Sequence, residues 1–380
     1  MAGIVLQNKK STIPFTSVAA DEGQPMSGDT DIISQNKIII NEFDADYQKV
    51  LGRLDHIYNP DDLYTKTHSE LFGEQYDTKP PLIDDLLYPG LYLLAGAPKT
   101  GKSFLAAQLC YHVSTGQNLW NYAVRQGTVL YLALEDDYRR LQHRMYRMFG
   151  LGCTDKLHFT TAAKQIGNGL EKQLEMFVRD YPDTVLVIID TLQKIRGADG
   201  EKYSYANDYD VVGKLKAIAD RYNICVVLIH HTRKQQSNDV FELISGTTGL
   251  LGCADGAMVL QKDRGPTLRA TLDIVGRDQG ESKLHLLRDT EHLYWMLDRV
   301  EAEPYEEPTD PLLETINKTV ISTWMGTATD LVDLLDLDMQ PNMLSRYLNV
   351  NVSRLAVEYG INYRTSRNHD GRKILLERNQ

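Results

Sequence analysis

The feature that most restricts this chain is an eight-residue loop, Gly96-Ala97-Pro98-Lys99-Thr100-Gly101-Lys102-Ser103. It follows an apolar run at 91–95 and precedes a stretch of helical spacing at 102–115. A strand, a G-x-x-x-x-G-K-S loop and a helix in that order form a phosphate-binding loop. Gly96 and Gly101 let the backbone turn its N–H groups toward anionic oxygens, and the helix N-terminus adds a partial positive charge there. In that reading Lys102 reaches the β- and γ-phosphates of a nucleotide and the Ser103 hydroxyl ligates Mg2+. The bland alternative is a glycine turn with an incidental lysine, but such a turn seldom has both flanking elements.

The rest of the chain supplies the setting that such a loop needs. Short apolar runs at 91–95, 129–134, 157–160, 185–189 and 225–229 read as buried strands. Between them lie helical segments at 102–115, 137–149, 170–181 and 208–222. This alternation predicts an α/β fold with a mostly parallel sheet covered on both faces. Four further runs, 257–261, 268–275, 284–288 and 293–297, read as consecutive strands forming an antiparallel extension of the same sheet.

Two more acids belong with the loop. The apolar strand Val185-Leu186-Val187-Ile188-Ile189 ends in Asp190, about ninety residues after Lys102, where a P-loop protein holds its Mg2+ shell. The strand at 129–134 runs into Glu135-Asp136-Asp137. Glu135 is a candidate to polarise an attacking water, while Asp136 or Asp137 suits the N-cap of the next helix. The fourth strand ends in His230-His231-Thr232-Arg233-Lys234. His231 there is either a γ-phosphate sensor or an ordinary structural histidine.

These residues together resemble the RecA-like hexameric helicases, most closely the RepA-type, DnaB-related replicative helicases of plasmids and mobile elements. The resemblance rests on the P-loop, Tyr131-Leu132-Ala133-Leu134-Glu135-Asp136, Ile189-Asp190-Thr191-Leu192 and Leu228-Ile229-His230-His231-Thr232. It spans 91–289, roughly half the chain. It implies a RecA-like P-loop core, ATP with Mg2+, Glu135 as catalytic glutamate and His231 as sensor. It also implies an arginine finger from a neighbouring subunit, for which Arg277 is the candidate and Arg264 the fallback; a turn arginine paired with Asp278 or Asp263 is the alternative. Two loops would face a central channel, carrying Arg196, Lys202, Arg233 and Lys234 to the phosphates of a single strand, with Tyr203 or Tyr205 available for stacking.

Outside the core, residues 1–80 read as an arm or subunit-docking region, with a strand at 32–40 and a helix at 42–57. Residues 81–300 read as the ATPase core and 301–322 as an acidic, proline-rich linker. Residues 323–380 read as a winged-helix-like unit: helices at 328–337, 342–348 and 353–359, then strands at 361–367 and 372–376 joined through Asp370-Gly371. The chain carries a net charge of -11, yet from residue 346 onward seven cations stand against three acids. That segregation points to DNA or an acidic partner, with Arg367 and Arg372 on phosphate.

No apolar stretch reaches the length of a membrane span, and the N-terminal residues lack the pattern of a secretory signal. Four widely spaced cysteines fit reduced thiols in a cytoplasm. The function expected is a ring-forming, ATP-driven helicase or translocase on single-stranded or forked DNA. It would act as a homo-oligomer, a hexamer by the resemblance, with a primase or initiator as further partner, in replication of a plasmid, phage or mobile element. A RecA- or RadA-like recombination ATPase and a KaiC-like regulatory DNA-binding ATPase stay open beside it.

Overall fold

The structure is a computed structural model. It describes residues 63, 65–76, 79–196, 205–232, 239–244, 248–263, 265, 267–277, 279–302, 308–368 and 371–378. The elements expected at 32–40 and 42–57, and Lys202, Tyr203, Arg233, Lys234, Arg264 and Asp278, lie outside the described residues. The chain divides into two compact units, 1–74 and 75–380, so the first boundary falls six residues before the expected one. In the first unit a short helix, α1 (His68–Gly73), opens with a capping box in which Thr67 accepts from the Glu70 N–H and Glu70 accepts from the Thr67 N–H.

The second unit is built on a nine-stranded sheet with strand order β3-β2-β4-β5-β1-β6-β7-β8-β9. Its strands are β1 (Gly90–Gly96), β2 (Thr128–Ala133), β3 (Leu157–Thr160), β4 (Thr184–Asp190), β5 (Cys225–His231), β6 (Gly256–Lys262), β7 (Arg269–Gly276), β8 (Ser282–Arg288) and β9 (Trp295–Ala302). The first six run parallel and β7 to β9 are antiparallel. This is the α/β, RecA-like P-loop fold that the alternation predicts. One strand departs from expectation: β6 pairs parallel with β1, because a short helix, Thr248–Cys253, returns the chain to the starting end of β1. The antiparallel extension therefore begins one strand later.

Side-chain alternation on β1 divides the interior. Tyr92 and Leu94 enter one apolar core with Leu105, Leu109 and Leu141, while Leu91, Leu93 and Ala95 enter another with Leu170, Leu174, Val212 and Leu215. Apolar residues on both faces are what a central parallel strand requires. The P-loop helix, α2 (Lys102–Thr115), buries Leu105, Ala106, Ala107, Gln108, Leu109 and Cys110, which leaves it no solvent-facing stripe. The helix after β2, α3 (Tyr138–Phe149), is the opposite case and buries only Leu141 and Met148. Among the described residues no helix is long and apolar enough to cross a membrane.

Past residue 308 a third apolar core forms from Leu313, Ile316, Leu331, Leu344, Leu348, Leu355, Ile361, Ile374 and Leu376. The expected linker is too long here. Pro311–Thr319 is a helix with Pro at its first turn and Asp310 as N-cap, accepting from Leu312 and Leu313, and its Leu313 and Ile316 are fully buried. The proline-rich composition thus marks a helix start rather than continued linker. The strand β10 (Thr323–Gly326) follows, then helices Ala328–Leu334, Pro341–Val350 and Val352–Tyr359, then the hairpin β11 (Ile361–Asn368) and β12 (Gly371–Arg378). The small sheet has order β10-β12-β11 and is antiparallel throughout.

Candidate active site

The ends of β1, β2, β4 and β5 lie at one edge of the sheet, where parallel α/β sheets present ligand sites. Register fixes the neighbours: Gly96 pairs with His231, and Ala133 pairs with Asp190. Four segments far apart in sequence therefore deliver Lys102, Ser103, Glu135, Asp190 and His231 to that edge.

The loop itself explains both glycines. Gly101 has φ +103, a conformation that L side chains rarely adopt. A Cβ on Gly96 would stand 2.5 Å from the Leu260 carbonyl oxygen, so this position also excludes a side chain on steric grounds. Lys102 Nζ donates to the carbonyl oxygens of Gly96 at 2.8 Å and Ala97 at 2.9 Å, and lies 3.3 Å from His231 Nδ1. The ammonium is thereby folded onto the loop, and only 5% of Lys102 is exposed. Burial lowers its pKa, opposed by the charges of Asp190 and Glu135.

Ser103 Oγ donates to Asp190 Oδ2 at 2.7 Å, and the buried Tyr131 hydroxyl donates to the same oxygen at 3.0 Å. Asp190 has a raised pKa because of burial, with the Ser103 and Tyr131 hydrogen bonds acting against that rise. A serine hydroxyl and a carboxylate meeting at one point are hard oxygen donors of the kind Mg2+ takes when phosphates and water complete its shell. Among the described residues no group of three or more His, Cys, Asp or Glu side chains forms a metal cage, so a cation here would need such outside ligands.

The three acids after β2 separate by position. Asp137 is the N-cap of α3, accepting from the Arg140 N–H at 2.9 Å. Asp136 is half-buried between Arg144, at 2.7 Å, and Arg140, at 3.4 Å. Glu135 is exposed, with one carboxylate oxygen accepting from Thr191 Oγ1 at 3.1 Å, one residue past Asp190. Of the three, Glu135 is the one at the strand end and next to the loop residues, and neither arginine of α3 claims it.

Arg277 lies elsewhere. It follows Gly276, which pairs with Gly256, which in turn pairs with Tyr92. Tyr92 is four residues before Gly96, about 13 Å along the strand, so Arg277 is at the far edge of its own sheet. It donates to the Gly252 carbonyl at 2.9 Å and lies 3.7 Å from Asp255 Oδ1; Asp255 also holds Lys216 at 2.8 Å. Arg196 is half-buried just past the helix Leu192–Ile195. In the small unit Arg372 is exposed near the hairpin tip; Arg367 pairs with it across the strands, and its side chain lies outside the described residues. Arg354 is occupied by Glu358 at 2.7 Å, and Arg378 by the Asn317 and Val320 carbonyls, so two of the seven C-terminal cations serve the fold.

Sequence reasoning missed Tyr131 as a partner of Asp190, and missed Trp295, whose indole seats against Gly101. Neither has a local signal: Tyr131 is one apolar-strand residue among several, and Trp295 lies 194 residues from the glycine it touches.

A comparison with curated protein sequences finds no match. Among solved structures, an ATPase domain determined on its own is 15% identical and is covered over 99% of its length by 71% of this chain, with a TM-score of 0.47. A DnaB-like replicative helicase, solved with attention to its interactions with primase, is 16% identical over 70% of this chain and 74% of its own, with a TM-score of 0.48. A KaiC-like protein, PH0186 from Pyrococcus horikoshii OT3, is 16% identical over 60% of this chain and 99% of its own, with a TM-score of 0.42. Likeness at this distance does not bear on activity. Residues 65–237, the stretch that carries β1 through β5 with the P-loop, Glu135, Asp190 and His231, match the AAA domain family (AAA_25).

Proposed function

We propose that the chain is an ATP hydrolase that uses nucleotide turnover to act on single-stranded or forked DNA, as a helicase or translocase. The observation that carries the ATPase reading is the convergence of Lys102, Ser103, Asp190, Glu135 and His231 on one sheet edge beside a P-loop. Lys102 would exchange its two carbonyl partners for β/γ-phosphate oxygens, since its Nζ already lies over the loop. Ser103 and Asp190 would hold Mg2+, which when bound neutralises charge between the phosphates. Glu135, oriented by Thr191, would accept a proton from the attacking water. His231, in reach of Lys102, is the candidate to sense whether the γ-phosphate is present.

Among the described residues the pocket holds one cation, Lys102, to face a triphosphate. A second would come from another copy of the chain, with Arg277 as the candidate donor. That role would require Arg277 to leave Gly252 and Asp255. We read the C-terminal unit as a winged helix that contacts nucleic acid: helices lead into an antiparallel hairpin whose exposed Arg364 and Arg372 carry positive charge on an acidic chain.

The ATPase rate measured with and without single-stranded DNA, together with unwinding of a forked duplex, tests the whole reading. Turnover that DNA leaves unchanged, with no unwinding, would overturn the DNA-motor part. Arg364→Glu/Arg372→Glu is expected to weaken DNA binding roughly tenfold or more at low salt. It should flatten the dependence of affinity on salt while leaving DNA-free turnover unchanged, and equal affinity would remove the hairpin from the contact surface.

Tyr131→Phe tests the local electrostatics. The lost hydrogen bond had favoured the Asp190 carboxylate, so the Asp190 pKa should rise further. Metal binding needs the carboxylate, so it is present above that pKa and lost as pH falls through it. The acid limb of the rate profile is therefore expected to move to higher pH, and an unmoved limb would make Tyr131 simple core packing.

A further inference from the structure

The β8–β9 connection brings an edge strand of the sheet back to the P-loop helix. Trp295, the first residue of β9, is 1% exposed and is the largest fully buried side chain among the described residues. Its indole lies flush against the phosphate loop: a Cβ on Gly101 would stand 2.8 Å from Trp295 Cζ2, and Nε1 donates to the Gly101 carbonyl at 3.4 Å. The tryptophan is itself held from behind. Gln108, two turns along α2, accepts from the Trp295 N–H at 2.8 Å and donates to its carbonyl at 2.8 Å. Trp120 Nε1 donates to the same carbonyl at 2.7 Å. Gln108 is a buried amide in an otherwise apolar helix, and this paired bond to one residue's backbone is what satisfies it.

We propose that Trp295 is a positioning residue for nucleotide binding: its indole is the buttress that keeps Gly101 left-handed and the P-loop in the phosphate-cradling conformation. Gly101 is thus constrained twice, by its φ of +103 and by a rigid ring where a side chain would go. A glycine loop without support loses conformational entropy when it orders around a ligand. With the ring seated, that ordering is already present in the free protein. This rests on the P-loop reading proposed above.

The experiment compares the wild-type chain with Trp295→Ala and Trp295→Phe in binding of a non-hydrolysable ATP analogue with Mg2+ and in turnover. Removing the ring should lower the fraction of loops in the binding-competent form. A fall to about one tenth raises the dissociation constant about tenfold. Turnover at saturating ATP should stay within about twofold, and Trp295→Phe should restore most of the affinity. A Trp295→Ala protein that melts earlier but binds the analogue as the wild type does would overturn the proposal, because the ring would then be packing alone. Should Trp295→Ala fail to fold, Trp120→Phe/Trp324→Phe leaves Trp295 as the sole tryptophan of the three. Its emission should change on saturation with the analogue and not in the added presence of Lys102→Ala. Unchanged emission with bound analogue overturns the proposal. A wild-type chain that binds no analogue sinks the P-loop reading itself, a separate failure.

Discussion

Lys102→Ala is expected to abolish ATP turnover, to below about one thousandth of the wild-type rate, while the protein stays folded. The expected loss follows from charge. Lys102 Nζ is the one cation among the described residues that reaches the loop, and its present partners are only the Gly96 and Ala97 carbonyls and the His231 ring. Transition-state charge on the transferring phosphoryl group is stabilised almost wholly by such placed cations, and a loss of about 4 kcal/mol corresponds to about three orders of magnitude. The fold should survive because burial of Lys102 costs desolvation, which already depresses its pKa. Removing the side chain also removes that cost. Turnover and the melting temperature, measured on the same preparation, check this; retained turnover would mean that the loop is not the catalytic site.

Glu135→Gln is the second large effect, with a different signature. The amide retains the size and the oxygen that accepts from Thr191, so binding of ATP with Mg2+ should change less than about threefold. It cannot take a proton from water, and general-base removal costs about 10²–10⁴ in rate. The expected protein therefore traps ATP without cleaving it, seen as normal equilibrium binding with loss of product formation. A merely halved rate would reassign Glu135 to a capping or solvent role, although Asp137 already fills the cap of α3.

The contrast between Glu135 and Asp136 shows where sequence reasoning stops. Both follow the same strand, and spacing cannot say which faces the loop. In the fold, Arg140 and Arg144 claim Asp136 from one turn or two along α3, which leaves Glu135 at the strand end. A similar limit applies at residues 301–322, where composition suggests an extended linker. Leu313 and Ile316 have apolar partners only in segments read separately, at 331, 344, 348 and 374, so the helix Pro311–Thr319 becomes evident once those elements assemble. Arg277 shows the same thing at the sheet's far edge: a cation between two strands is visible in sequence, but the edge it occupies follows from β6 running parallel to β1.

The strand–loop–helix of the phosphate loop, the apolar runs of β1 to β5 and the segregation of charge toward the C-terminus were legible from sequence alone. Those properties arise from neighbours along the chain: glycine's backbone freedom, two-residue alternation and local charge. Tertiary structure alone brought Tyr131 to Asp190 and Trp295 beneath Gly101, contacts made across 59 and 194 residues. Each depends on which strands lie side by side and how far the sheet curls back over α2. No local pattern encodes that, because it is settled by the packing of the whole core.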